Sequence, residues 1–250
     1  MRRFGLIGHP VGHSWSQRYF QDKWNREGIS DCVYELHDLP SVAEVEALWS
    51  EANWCGMNVT VPHKQSVIPF LDALSDTARA IGAVNTIAFT PQGRIGHNTD
   101  AAGFQRAIAP FLKGHHHRAL VLGTGGSAAA VCHVLREIGL DVMRASRTPS
   151  ASDMIGYAEI GKEGIQATPV IVNCTPVGMH PHVDAMPPLE SALDGLGADH
   201  LVVDLIYNPR ETQLLARASS LGARTLDGLS MLHHQADVAW QIWSGAAAST

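Results

Sequence analysis

The sequence predicts an α/β fold made of an N-terminal α/β domain and a second domain built on a doubly wound parallel sheet. Strand-like and helix-like segments alternate along nearly all of the 250 residues, which is typical of α/β proteins. A polar break, KGHHHR at 113–118, separates two such regions. The apolar run after it, ALVLG at 119–123, is typical of a parallel strand buried on both faces. A chain of 250 residues can form one large domain or two modest domains, each with its own buried core.

The first hundred residues alternate between strands and helices. RRFGLIG at 2–8 is a predicted strand, and the helix predicted at 16–28 ends at Gly28. Ser41 and Glu44 stand in capping-box register, so a second helix begins there. CGMNVTV is the next strand, and VNTIAF and RIGHNTD form two strands joined by a turn. A further helix begins near Asp100.

The stretch NVTVPHK has the period-two pattern of a half-buried strand. Asn58 and Thr60 face one side and the two valines face the other. Pro62 has no N–H for a ladder, so pairing ends there and Lys64 follows the strand end. In α/β proteins, reacting groups commonly lie at such ends. A lone lysine in this place is more often simply solvated. Other residues of the chain have to distinguish a reactive lysine from a solvated one.

Beyond the polar break, strand-like segments again alternate with helices. After ALVLG these segments are DVMRAS, VIVNCTP and LVVDLIY, which predicts the parallel, doubly wound sheet. The segment between Arg147 and Val170 is weakly patterned and carries little more than a short helix. The last segment, LSMLHHQADVAWQIWSG, is amphipathic and is expected to fold back onto the first domain.

A glycine-rich turn, GTGGSA, lies between ALVLG and the next helix. Gly123, Gly125 and Ala128 occupy the three small-residue positions of the Rossmann dinucleotide fingerprint, with Gly126 and Ser127 beside them. Backbone N–H groups at such a helix N-terminus suit a pyrophosphate. The strand–turn–helix context favours a dinucleotide site over a purely structural turn.

The end of the following strand predicts which dinucleotide is bound. NAD sites usually have a carboxylate here for the ribose hydroxyls, whereas this chain has Ser146, Arg147 and Thr148. A guanidinium and hydroxyls suit a 2′-phosphate, so NADP is favoured over NAD. The alternative is that Arg147 is an ordinary surface arginine.

Composition and charge exclude several other classes of protein. The net charge is −6 with no basic stripe, which argues against nucleic-acid binding, and no apolar run reaches the length of a membrane helix. The four cysteines show no CxxC spacing and indicate thiols of a cytoplasmic protein. The histidines lack metal-ligand spacing, so we expect no metal, and His115, His116 and His117 are predicted to form a solvated loop. The sequence leaves monomer and homodimer open.

Seven polar clusters together resemble the shikimate dehydrogenase family, from Gly8 to Ala236. They are GHPVGHSWS, NVTVPHK, GAVNT, GHNTD, NCTPVGM, DLIYNP and DGLSMLHHQA. The resemblance implies a substrate-binding domain at 1–99, completed by a C-terminal helix at 229–250. It also implies a Rossmann-like NADP-binding domain at 100–228, with a cleft between the two domains. The implied reaction is the reversible NADPH-dependent reduction of 3-dehydroshikimate to shikimate, in aromatic amino-acid biosynthesis.

The resemblance also implies roles for individual residues. Lys64 and Asp100 match the family's catalytic pair. The residues that match substrate-binding positions are Ser14, Ser16, Thr60, Asn85, Tyr207 and Gln235. Those that match cofactor-binding positions are Gly123, Gly125, Gly126, Ser127, Ala128, Ser146, Arg147, Thr148 and Gly228.

The chemistry of these side chains agrees with the implied ligand. Ser14 and Ser16 lie where a helix begins, and hydroxyls beside free N–H groups suit a carboxylate, although one serine could simply cap the helix. Asp100 could likewise be the N-cap of its own helix. The polar side of NVTV would face the ring hydroxyls. An ammonium near a carboxylate can protonate a developing alkoxide, so we assign Lys64 as acid/base and Asp100 as its partner, with the reverse assignment open.

The chain departs from the family's usual pattern at two places. Gln17 stands where the family often has proline. In the phosphate motif, Ser146 stands where asparagine is usual and Ala151 stands where a second basic residue usually follows Arg147, which leaves the degree of the NADP preference open but not its direction. Two alternative functions are also open. One is a quinate/shikimate dehydrogenase that uses NAD or NADP, and the other is a non-catalytic ligand sensor on the same fold.

Overall fold

The computed structural model describes residues 1–12, 14–51 and 53–245, and these form two compact units. The first unit comprises Met1–Ala102 together with the chain from His233 onward, and the second unit is Gly103–Leu232. The division passes inside two helices, a few residues later than the boundaries expected at 99/100 and 228/229. His13 and the last five residues of the expected C-terminal helix lie outside the described residues.

Strands and helices alternate along most of the chain. Up to residue 108 they are β1 (Arg2–Gly8), α1 (Ser16–Glu27), β2 (Cys32–Asp38), α2 (Val45–Ser50), β3 (Trp54–Val59), α3 (His63–Ser66), β4 (Ala73–Leu74), α4 (Asp76–Ile81), β5 (Thr86–Thr90), β6 (Gly93–His97) and α5 (Thr99–Ile108). Beyond it they are β7 (Arg118–Leu122), α6 (Gly126–Glu137), β8 (Asp141–Ser146), β9 (Met154–Gly156), α7 (Lys162–Gln166), β10 (Val170–Asn173), β11 (Leu201–Asp204), α8 (Gln213–Ser220), β12 (Arg224–Leu226) and α9 (Leu229–Ser244).

The first unit is built on a mixed sheet with the strand order β2-β1-β3-β5-β6-β4. Strand β1 pairs in parallel with β2 and β3, whereas β5 runs antiparallel to β3 and β6. Successive residues of β1 face opposite sides, as a strand requires. Phe4 packs on one side with Phe20 of α1 and Trp240 of α9, while Ile7 packs on the other side with Val45 of α2. Helices therefore cover both faces of this sheet.

Local signals in the sequence fix several helix ends in this unit. Gly28 ends α1 in the left-handed conformation with φ of 68°. Ser41 and Glu44 form the predicted capping box, although the first turn it caps, Val42–Glu44, is a 3-10 turn that leads into α2. These features confirm the predicted positions of the two helices.

The second unit is a parallel sheet with the strand order β12-β11-β10-β7-β8-β9. From β7 the strands are added first on one side, as β8 and β9, and then on the other side, as β10, β11 and β12. This is the Rossmann order, and the order of addition reverses between β7 and β10. The central strands are buried throughout, which explains their continuous apolar runs. The carboxyl ends of β7 and β10 mark the switch point at which α/β sheets bind ligands.

The tri-histidine segment before β7 differs from the prediction. His115 and His117 are exposed as expected, but the prediction of a solvated loop was wrong for His116, which is buried. Its Nδ1 accepts the N–H of Lys113 at 3.1 Å and its Nε2 lies 3.3 Å from the carbonyl oxygen of Asp199. Burial lowers the pKa of this imidazole. No local pattern in the sequence indicates that this ring packs against the loop before β11.

The described residues hold neither a cluster suited to a metal ion nor a helix suited to a membrane. No group of three or more histidine, cysteine or acidic side chains there is arranged to hold a metal ion. No helix in the same residues has the length and apolar character needed to span a bilayer. All four cysteines are thiols.

Candidate active site

Lys64 and Asp100 meet at one edge of the sheet of the first unit. Lys64 Nζ lies 2.6 Å from Asp100 Oδ2, and the two side chains are 13% and 7% exposed. A charge-assisted hydrogen bond of this length is strong, and it is poorly screened at such low exposure. An ammonium and a carboxylate are thus held together where water has little access.

The chain on either side of each residue holds this pair in place. Lys64 lies in α3, just after the end of β3, and its carbonyl oxygen accepts the N–H of Val84 at 2.7 Å. The neighbouring His63 is buried, with Nε2 2.6 Å from the carbonyl oxygen of Leu39. Two contacts from different segments therefore fix the short helix that carries the lysine.

Asp100 lies in the first turn of α5 and does not cap that helix. Asn98 Oδ1 accepts the N–H of Ala101 at 3.2 Å, so Asn98 supplies the cap. The N-cap alternative for Asp100 was therefore wrong. Because the cap is already made by Asn98, the Asp100 carboxylate is directed to Lys64 instead.

Asn85 links Asp100 to the C-terminal helix. Its Nδ2 donates to Asp100 Oδ1 at 2.9 Å and lies 3.4 Å from Gln235 Oε1 of α9, while its Oδ1 accepts the N–H of Thr99 at 2.7 Å. The Thr99 hydroxyl also lies 3.4 Å from Gln235 Oε1. The structure thus brings together four predicted site residues, namely Lys64, Asn85, Asp100 and Gln235. Sequence reasoning missed Thr99, which adjoins Asp100 in the GHNTD cluster.

Ser14 and Ser16 lie at the start of α1. The N-cap residue is Trp15, without a side-chain cap, and both serines are half-buried. Ser14 Oγ accepts the N–H of Ser16 at 3.3 Å. The serines follow β1 and Lys64 follows β3, and because these strands are parallel, their carboxyl ends share one edge of the sheet.

The alternation predicted for NVTVPHK ends earlier than expected. Asn58 is buried, and its side chain bonds to the Tyr34 hydroxyl of β2 and to Thr86 of β5, so it links β3 to two other strands rather than facing a ligand. Thr60 is half-buried, and its N–H donates to the Ile7 carbonyl oxygen at 2.9 Å. Val61 is 70% exposed rather than packed in the core. Strand geometry stops at Val59, which ends the period-two pattern.

In the second unit, the glycine-rich turn joins β7 to α6. Gly123 has φ of 107°, and a Cβ there would lie 3.2 Å from Thr175 Cγ2, so glycine suits this turn on both counts. Gly125 is the N-cap of α6 without any side-chain cap, and the space where its Cβ would stand is open. Ala128 is buried between helix and sheet. This geometry fits a pyrophosphate against the N-terminus of α6.

The end of β8 carries the residues predicted to select the cofactor. Ser146 is buried and its Oγ accepts the N–H of Thr148 at 3.1 Å, while Arg147 and Thr148 are exposed. The exposed guanidinium and the absence of a carboxylate at 146–148 fit a 2′-phosphate.

Gly228 and Tyr207 lie beyond β11 in the same unit. The Gly228 N–H donates to the Ile206 carbonyl oxygen at 3.0 Å, and a Cβ at Gly228 would clash with the Leu205 carbonyl group. Only glycine allows this approach of the two backbones. Tyr207 is half-buried in the segment after β11.

Comparisons with known proteins agree with this geometry. The profile of the shikimate dehydrogenase substrate binding domain matches residues 6–87. A curated relative from Desulforamulus reducens, named shikimate dehydrogenase (NADP(+)), is 35% identical over 98% of this chain and 90% of its own. The chain belongs to the shikimate dehydrogenase family.

Two solved structures of this family are also similar over nearly the whole chain. Shikimate 5-dehydrogenase from Thermus thermophilus, in complex with NADP(H) and shikimate, has a TM-score of 0.85 at 33% identity and covers 98% of this chain and 94% of its own. Quinate dehydrogenase from Corynebacterium glutamicum, in complex with NAD, has a TM-score of 0.84 at 30% identity with the same coverage.

The departures from the usual pattern of shikimate dehydrogenases have structural counterparts. Gln17, in place of proline, donates from Nε2 to the Tyr34 carbonyl oxygen at 2.8 Å and so ties the first turn of α1 to β2. Ala151 is exposed and offers no charge to a phosphate. Arg147 is thus the main basic residue at the end of β8 in this member of the family.

Proposed function

We propose that the protein is an NADP-dependent shikimate dehydrogenase that reversibly reduces 3-dehydroshikimate to shikimate. The observation that carries this proposal is the shielded pair of Lys64 and Asp100, with Nζ and Oδ2 2.6 Å apart. A non-catalytic sensor has no need of an acid/base pair held in this way. The relatives named shikimate dehydrogenase (NADP(+)) support the choice of substrate and cofactor.

The pair has one task in each direction of the reaction. Bound NADPH supplies the hydride. As the hydride reaches the carbonyl carbon, Lys64 donates a proton to the carbonyl oxygen, and in the reverse direction Lys64 removes the hydroxyl proton. Asp100 keeps the ammonium in position and balances its charge. The reverse assignment gives Asp100 the proton, and the variants in the Discussion distinguish the two.

The remaining residues of the first unit bind the substrate in this proposal. Ser14 and Ser16 hold the carboxylate at the start of α1, where hydroxyls and backbone N–H groups are available. Thr60, Asn85 and Gln235 hydrogen-bond the ring hydroxyls, together with Asp100. Tyr207 is a further substrate-binding residue in this proposal.

The second unit binds NADP in this proposal. The turn formed by Gly123, Gly125, Gly126, Ser127 and Ala128 cradles the pyrophosphate. Ser146, Arg147 and Thr148 bind the 2′-phosphate, for which a guanidinium provides charge and paired donors. Gly228 lies beside the nicotinamide.

The direct test is oxidation of NADPH by the purified protein with 3-dehydroshikimate, measured beside NADH. We expect turnover that requires 3-dehydroshikimate and has a higher kcat/KM with NADPH than with NADH. Absence of turnover with both nucleotides, from protein shown to be folded, would contradict the proposal.

A second candidate is a quinate dehydrogenase that uses NAD. The similarity to the quinate dehydrogenase from Corynebacterium glutamicum favours it, whereas Arg147 and the lack of a carboxylate at the end of β8 favour NADP. Oxidation of shikimate and quinate with NADP and NAD, compared by kcat/KM, decides between the two.

The setting of the enzyme is also a proposal. We place it in the cytoplasm, which the four thiols support, as a monomer or homodimer. Cell fractionation tests the first statement, and light scattering coupled to size-exclusion chromatography tests the second.

A further inference from the structure

Asp204, at the carboxyl end of β11, is a fully buried acid with no part in the proposed chemistry. Its side chain accepts three hydrogen bonds. Asn173 Nδ2 and the Ile206 N–H donate to Oδ1 at 3.0 and 3.1 Å, and Thr212 Oγ1 donates to Oδ2 at 2.8 Å. A buried carboxylate is costly unless all its acceptor sites are used, and in the described chain it has donors but no ion-pair partner. We therefore expect the Asp204 carboxylate to have a role other than packing.

Asn173, one of these donors, also hydrogen-bonds to the loop after β10. Asn173 Oδ1 accepts from both the N–H and the Oγ1 of Thr175, at 3.0 and 2.7 Å. Thr175 Oγ1 in turn accepts the N–H of Val177 at 3.3 Å. Asp204 thus orients the Asn173 amide, and this amide orients the first turn of the loop at 174–178.

This loop lies against the dinucleotide turn. A Cβ on Gly123 would be 3.2 Å from Thr175 Cγ2, so the threonine methyl group packs against the first glycine of the turn. A displacement of Thr175 would change its packing against Gly123, in the turn that is proposed to hold the pyrophosphate. The position of the loop therefore affects the shape of that site.

The other donors of Asp204 reach the segment before α9. The Ile206 N–H bonds to Asp204, and the Ile206 carbonyl oxygen accepts the N–H of Gly228 at 3.0 Å. The Leu205 N–H donates to the Asn173 carbonyl oxygen at 3.0 Å. One carboxylate therefore joins the loop after β10, the segment after β11 and the backbone at Gly228.

We infer that Asp204 is a positioning residue for the cofactor: it sets the affinity for NADPH by fixing the loop at 174–178 against the glycine-rich turn. The inference rests on the proposed function in taking the ligand to be a nicotinamide dinucleotide. Asp204 is shielded by Asn173, Ile206 and Thr212, and it acts through them rather than by touching the ligand.

Three variants in the same sheet test this role. Asp204→Ala removes the acceptor of three buried donors, of which Asn173 Nδ2 keeps only the Val177 carbonyl oxygen at 3.5 Å. Asp204→Asn keeps the shape and can accept from Asn173 and Ile206. Val202→Ala removes a buried side chain two residues earlier on the same strand, so it lowers stability without touching the loop. The dissociation constant for NADPH, from nucleotide fluorescence, and the thermal midpoint are measured for each variant.

We expect NADPH to bind at least tenfold more weakly to Asp204→Ala, and within threefold of the native affinity to Asp204→Asn and Val202→Ala. With NADPH saturating, the KM for 3-dehydroshikimate should change less than twofold in all three. Native NADPH affinity in Asp204→Ala would overturn the inference. An equal loss of affinity in Val202→Ala would overturn it too, because the effect would then be one of stability.

If Asp204→Ala does not fold, Thr175→Val decides the question. It keeps the methyl group that faces Gly123 and removes the hydroxyl that bonds to Asn173 and Val177, so several-fold weaker NADPH binding is expected. Native affinity in this variant would overturn the inference.

The direct binding measurement also separates this inference from the proposed function. A native protein that binds NADPH but does not reduce 3-dehydroshikimate refutes the proposed reaction while the Asp204 comparison is still decided by affinity. A native protein that binds no dinucleotide overturns both.

Discussion

Lys64 and Asp100, 36 residues apart in the chain, form an ion pair with Nζ and Oδ2 2.6 Å apart. The other oxygen of the carboxylate accepts from Asn85 Nδ2 at 2.9 Å. Each oxygen of Asp100 therefore has its own donor, and the orientation of the carboxylate is fixed by protein contacts. A preorganised pair of this kind loses little free energy to reorganisation during proton transfer.

Removal of the ammonium tests the assignment of the acid. We expect Lys64→Met to lower kcat by about 10²–10⁴-fold, the usual contribution of a general acid or base. Asp100→Asn should lower kcat less, because the variant retains the proposed proton donor and removes only its partner. Steady-state rates with 3-dehydroshikimate and NADPH provide the measurement.

Binding measurements complete this test. The dissociation constant for NADPH should be unchanged in Lys64→Met, because this variant retains all the residues that are proposed to bind the dinucleotide. Lys162→Met, at an exposed lysine in α7, is the matched control and should have native kcat. Native turnover in Lys64→Met would refute the proposed role, and a larger loss in Asp100→Asn would favour Asp100 as the proton donor.

Asn85 should contribute to both stability and catalysis. Asn85→Ala leaves the Thr99 N–H and one oxygen of Asp100 without a partner in a buried site, which costs about 1–3 kcal/mol in the free energy of unfolding. Because Asp100 then has more freedom, kcat should fall as well. Urea denaturation and steady-state kinetics measure the two effects. Asn208→Ala, outside this network, is the control. A variant with native kcat would show that Lys64 and Asp100 do not depend on Asn85.

The sequence predicted the charged residues of the site better than its neutral polar residues. A buried polar side chain such as an asparagine can bind a ligand or can hydrogen-bond to the protein itself. Lys64 and Asp100 stand in short polar clusters at element ends, and their pairing was expected from the resemblance to the shikimate dehydrogenase family. Asn58 stands in the same cluster as Lys64, yet it is buried and bonds to Tyr34 and Thr86. Alternation alone cannot tell a polar side chain that faces a ligand from one that joins two strands.

The fold was predictable because each strand of the second unit is a short apolar run bounded by turn residues. The choice between two candidate N-cap residues was not predictable. Asn98 and Asp100 are both good N-cap residues, and only the structure shows that Asn98 has this role. His116 is a similar case, because its burial depends on Asp199, which is far away in the sequence.

Arg147 should govern the choice between the two nucleotides. Hydrogen bonds to a charged group contribute about 1.5–3 kcal/mol, so Arg147→Ala should raise the KM for NADPH roughly 10- to 100-fold. The KM for NADH should change little, because NADH lacks the phosphate. Arg118→Ala, at an exposed arginine at the start of β7, is the control and should leave both values unchanged. An equal rise in both KM values would mean that Arg147 does not bind the 2′-phosphate.

Asp204 should make the stability of the protein depend on pH in the opposite sense to a surface carboxylate. Burial raises the pKa of this carboxyl from 3.8 to about 6. Its contribution is therefore fully present below about pH 4 and is lost as the pH rises through about 6, by about 3 kcal/mol for a shift from 3.8 to about 6 at 1.36 kcal/mol per unit. Asp204→Asn cannot ionise, so its free energy of unfolding should gain on that of the native protein by most of this amount between pH 4 and 7.5, as measured by urea denaturation. Asp199→Asn, at an exposed residue, should give a curve parallel to the native one. A parallel curve for Asp204→Asn would show that the buried acid ionises as easily in the folded protein as in the unfolded chain.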